Sequence, residues 1–99
     1  MNKNPNGERK EELYKAVLTL ETVEECMKFF DDLCTVTELS AMEQRFEVAT
    51  CLHKGMIYNE ILEKTGASSA TISRVNRSLS GRNSYGGYDI VFERMGEDN

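Results

Sequence analysis

Residues 58–80 read YNEILEKTGASSATISRVNRSLS. A short amphipathic segment is followed by a glycine and then by a segment rich in Ser, Thr, Asn and Arg. No carboxylate occurs between Gly66 and Ser80, although the chain carries a formal net charge of −5. Two helices joined by about three residues that include a glycine form the helix-turn-helix pattern, whose second helix lies in the major groove of DNA. The spacing predicts helices over about 58–65 and 69–79, split by the turn at Gly66.

Each position in the stretch has a physical task. Gly66 stands where the chain must leave the first helix with positive φ, a conformation that glycine adopts without a Cβ clash. Ile61, Ala67, Ile72 and Val75 fall on the inward faces. Ser68 or Ser69 is suited to cap the second helix. With the inside so filled, Ser68, Ser69, Ala70, Ser73, Arg74 and Arg77 point outward, with Thr71 and Asn76 at the margins. Hydroxyls and guanidinium groups reach base edges or phosphates, an alanine can touch a thymine methyl, and a helix N-terminus suits a phosphate. The alternative on pattern alone is a helical hairpin with a solvated polar face. Leu62 is also larger than the residue usual near the middle of the first helix.

The rest of the chain bounds the answer. At 99 residues with 39 % hydrophobic composition it reads as one small helical domain with little core to spare. Its single proline is Pro5, and no apolar run approaches the roughly 18 residues of a membrane span. The polar start MNKNPNGERKEE does not resemble a signal peptide, so the expected location is the cytoplasm, away from the membrane. Charge is uneven: residues 1–52 hold 11 acids and 6 bases, 53–82 hold 2 and 5, and 83–99 hold 4 and 1. A local basic face can dock on phosphates despite an acidic total, because screening removes charges beyond roughly 8–10 Å.

Cys26, Cys34 and Cys51 are odd in number and match no disulfide framework, so they are read as free, buried thiols. With His53 they lack any metal-binding spacing, since Cys51 and His53 are two apart and diverge on a helix. No metal and no cofactor is expected. Catalysis has no support either: His53 is the only histidine, and Glu24–Glu25 and Asp31–Asp32 are adjacent rather than convergent carboxylates.

Along the chain, residues 1–8 read as a disordered tail. Leu13, Ala16, Val17 and Leu20 recur at helical spacing, giving a first helix from about Arg9. Thr22 with Glu25 forms a capping box for a second helix reaching about Cys34. TVTEL reads as a connector, and Ser40 with Glu43 as the cap of a third helix ending near Gly55. The segment DIVFERM reads as a docked tail or helix rather than a strand, because an isolated strand has nothing to pair with.

The wording of the motif adds a resemblance. EILEKTGASSATISRVNRSL, preceded by LSAMEQRFEVATCLHKGM, resembles the Trp repressor superfamily, especially its YerC/YecD-type branch, over roughly residues 10–80. The resemblance implies an all-α, intertwined homodimer with the domain over 9–80, and a transcription regulator, a repressor by family, reading palindromic double-stranded DNA. By position, Leu62, Ser68, Ser69, Ala70 and Ser73 match the family's DNA-facing residues, and Thr71, Ile72 and Arg74 its signature. An effector pocket, if kept, would use Arg45, Arg74 and the position of Val75. There the tryptophan-binding member has a glycine that leaves room for the indole, so the valine argues against tryptophan as effector. Residues 81–99 do not resemble the last helix of the tryptophan-binding member, and Tyr85, Tyr88, Ile90, Val91 and Phe92 are expected to cover the dimer core or the helix-turn-helix scaffold. The rival reading is a helical dimerisation or protein-interaction module that binds no DNA.

Overall fold

Threonine–glutamate pairs and glycines set half of the helix ends. In the computed structural model, which describes residues 9–79 and 84–96, six helices and no strand occur among the described residues. They are α1 (Glu11–Val17), α2 (Val23–Leu33), α3 (Val36–His53), α4 (Tyr58–Thr65), α5 (Ser69–Leu79) and α6 (Gly87–Met95). The all-α expectation holds. The tail expected at 1–8 lies outside the described residues, as do 80–83 and 97–99 of the C-terminal segment.

At α2 the Thr22 hydroxyl accepts from the Glu25 N–H at 3.0 Å, as the capping pair requires. The start of α3 differs from expectation. Thr35 accepts from the Glu38 N–H at 3.1 Å, and the Glu38 carboxylate accepts from the Thr35 N–H at 2.8 Å. This reciprocal box nucleates the helix ahead of Ser40, and no Gly or Pro between Val36 and Leu39 interrupts it. TVTEL is therefore largely the first turn of α3 and not a connector. At the other end, the Gly55 N–H reaches the Leu52 carbonyl at 3.0 Å and the Met56 N–H reaches that of Cys51 at 3.1 Å. That pair of bonds is a Schellman stop, with Gly55 at φ 84°.

The chain forms two units, Met1–Leu39 and Ser40–Asn99. Neither α1 nor α2 contains a buried residue. Leu18 is 84 % exposed and Val23 70 %, and Leu13, Tyr14, Met27 and Leu33 are exposed too. The buried core lies in the second unit: Val48, Ala49, Cys51, Ile61, Ala67, Ile72, Val75 and Phe92, with Leu52, Met56, Leu62, Leu79 and Tyr88 packed against it. Of the three thiols, all free, only Cys51 is buried.

DIVFERM is helical, as α6. Phe92 is 2 % exposed and stacks on Phe46 at 5.7 Å, on His53 at 4.4 Å and on Tyr88 at 6.0 Å between ring centroids. Tyr88 and Phe92 are four apart and share a helix face, so they reach the scaffold together. Ile90 and Val91 fall off that face and are exposed on this chain, and Tyr85 precedes the helix and is fully exposed.

Candidate nucleic-acid interface

The hairpin of α4 and α5 is built from its apolar side outward. Ile61 is fully buried, and Ala67, Ile72 and Val75 are buried beside it in one cluster. Ile72 and Val75 are three apart, so burying both sets the rotation of α5 about its axis. Gly66 closes α4 at φ 72°, ψ 7°, with its N–H on the Leu62 carbonyl at 3.0 Å. The Thr65 hydroxyl donates to the Ile61 carbonyl at 2.8 Å and accepts from the Ala67 N–H at 3.1 Å. Gln44 Nε2 on α3 donates to the Thr65 carbonyl at 3.2 Å, which ties the turn to the longest helix.

Ser68, rather than Ser69, caps α5. Its hydroxyl accepts from the Thr71 N–H at 3.1 Å and donates to Thr71 Oγ1 at 3.1 Å. Both side chains are thus engaged with each other, and Thr71 is half-buried. Ser69, Ala70, Ser73, Arg74 and Arg77 stand exposed around them. Leu62, grouped with this face by position, is half-buried and packed against the core.

The electrostatics of this face follow from what it holds. The first turn of α5 has no acid, so the positive end of the helix dipole is not offset there. Arg77 lies in the last turn, and the only ion pairs among the described residues join Lys15 to Glu11 and Glu12. The guanidinium groups of Arg74 and Arg77 have no ion-pair partner among the described residues.

The three residues tied to an effector differ in exposure. Arg74 is exposed, Arg45 is half-buried, and Val75 is 1 % exposed with its methyls in the core. Two surface clefts, of about 270 and 320 Å³, are lined by none of them. Among the described residues no three His, Cys, Asp or Glu side chains come together as metal ligands. No helix among them is long and apolar enough to cross a membrane.

One contact escaped the sequence reading. The Tyr58 hydroxyl, at the start of α4, donates to the Ser69 carbonyl at 3.0 Å. An aromatic at the first position of a helix carries no sign of a bond eleven residues away, and only the placement of α5 against α4 reveals it.

The fold and this face define an all-helical domain presenting a carboxylate-free, arginine-bearing helix on a short-turned hairpin. The model of the Trp repressor protein family matches residues 8–96, and the chain belongs to that family. It is similar to the uncharacterized protein YerC of Bacillus subtilis, with 44 % identity over 91 residues, 92 % of this chain and 86 % of the relative. A crystal structure of a candidate Trp repressor from Staphylococcus aureus superposes with TM-score 0.83 and 46 % identity over 90 % of this chain and 87 % of that one. A TrpR-like protein from Eubacterium eligens gives TM-score 0.80 and 52 % identity over 87 % of each chain. The family is one of DNA-binding transcription regulators rather than of enzymes.

Proposed function

We propose that the chain is a sequence-specific, DNA-binding transcriptional regulator, a repressor by family, that acts in the cytoplasm as a homodimer and reads a palindromic operator through residues 58–80. One observation carries this reading: the exposed first turn and outward face of α5 bear hydroxyls, no carboxylate and two arginines with no ion-pair partner among the described residues, in a chain of net charge −5. Ser69, Ala70 and Ser73 face base edges, Arg77 takes a guanine or a phosphate, and Arg74 a phosphate. Ser68 and Thr71 hold the helix start, and the N-terminal end of α5 faces a phosphate.

The exposed apolar side chains of α1 and α2 support the dimer, since surfaces of this kind mark contacts with another protein. A second copy brings a second α5, and half-sites then follow the symmetry of the protein. Val75 supports independence from tryptophan, because its methyls belong to the buried cluster.

Binding measured against salt tests the reading. The logarithm of the affinity for duplex DNA should fall linearly with log salt, by about 0.9 for each phosphate neutralised. The Arg77→Ala variant should lose about 1–3 kcal/mol on a selected site if Arg77 reads a base, and should lower the salt slope by about 1 if it holds a phosphate. Equal affinity and equal slope for variant and wild type would remove Arg77 from the interface. An absence of DNA binding at any salt would favour the protein-interaction module.

A further inference from the structure

The cluster that joins α4 to α5 is apolar, and contacts of that kind set separation more firmly than angle, because they are non-directional. Direction comes from hydrogen bonds. At the C-terminal end of α4, Thr65 and Gly66 fix the turn as far as Ala67, and the short chain to Ser69 joins it to α5. The Tyr58 hydroxyl ties the N-terminal end of α4 to the same place, through the Ser69 carbonyl at 3.0 Å. The first turn of α5 is thus held from both ends of α4. One attachment leaves α5 free to pivot about the turn, whereas two fix its pitch.

We propose that Tyr58 is a positioning residue for sequence discrimination: its hydrogen bond to Ser69 sets the angle at which α5 enters the groove. The proposal rests on the DNA-binding reading and adds to it a residue outside the groove-facing set. A phenol has one proton to donate. Given to the Ser69 carbonyl, that proton is not available to a phosphate oxygen, which only accepts. Tyr58 therefore acts through α5 and not by touching the backbone of the DNA. Base readout depends on hydrogen-bond geometry at the base edges, while phosphate attraction tolerates small tilts, so a loosened α5 loses discrimination before it loses affinity.

The test is Tyr58→Phe, which keeps the ring and removes the bond. Wild type and variant are titrated with a duplex selected from a random library by the wild type and with random duplex of equal length, each corrected for the folded fraction from its melting curve. The ratio of selected-site to random affinity should fall about 3- to 10-fold, the range a lost neutral hydrogen bond gives, with random-duplex affinity unchanged within about twofold. An equal fall on both duplexes overturns the proposal and makes Tyr58 a backbone contact. No change on either overturns it as well. If the wild type itself prefers no duplex, the DNA-reading conclusion fails and takes this proposal with it. Selective wild-type binding with an equally selective Tyr58→Phe sinks this proposal alone.

Discussion

Replacing Phe92 by alanine should destabilise the fold by about 3–5 kcal/mol, the range for emptying a buried aromatic site. The ring is 2 % exposed and touches three others, on Phe46, His53 and Tyr88. Such ring pairs add about 0.5–1.5 kcal/mol each beyond simple burial, so the loss should fall in the upper part of that range. Small domains hold only about 5–15 kcal/mol in all, and a domain of this size loses roughly 4–8 °C of melting temperature per kcal/mol. Val91→Ala, on the exposed side of the same helix, is the control and should move the melting temperature little. Thermal melts at equal protein concentration decide it. Equal, small shifts for both variants would mean that α6 adds nothing to the core.

Ile72→Ala is expected to cost about 2–5 kcal/mol and also to abolish selective DNA binding at temperatures where the protein remains folded. Ile72 is 1 % exposed and lies with Ile61 and Val75 in the cluster on which α5 rests. Dense interiors collapse only partly around a missing side chain, so α5 keeps a cavity beneath it and loses its fixed rotation. Circular dichroism melts give the stability loss, and titration with the selected duplex in the cold gives the second effect. A destabilised protein with wild-type selectivity would show that the seating of α5 does not depend on this side chain.

Both substitutions probe positions that differ in how readily the sequence shows them. Ile61, Ala67, Ile72 and Val75 are legible because a three-residue turn and a 3.6-residue period leave few choices for what points inward. Gly66 is legible because only a positive φ lets the chain reverse there, and it has φ 72°. The start of α3 is not, since Thr35–Glu38 and Ser40–Glu43 are both well-formed capping pairs, and local chemistry alone does not rank them. The structure uses the earlier one.

In the C-terminal segment, composition identified five large apolar residues but not which of them share a face. Placing α6 at Gly87–Met95 turns Tyr88 and Phe92 inward and leaves Ile90 and Val91 out. Within the α4–α5 hairpin, the outward set is readable from periodicity. The mutual engagement of Ser68 and Thr71, and the Tyr58 bond, depend on tertiary placement and are not.

DNA reading by this chain is tested most directly by selection of random duplex DNA with the purified protein, with and without tryptophan. An enriched palindrome is expected, the same in both conditions, with half-sites spaced for two copies of α5. Absence of any enriched sequence in either condition would contradict DNA reading, and enrichment only with tryptophan would contradict the role given to Val75.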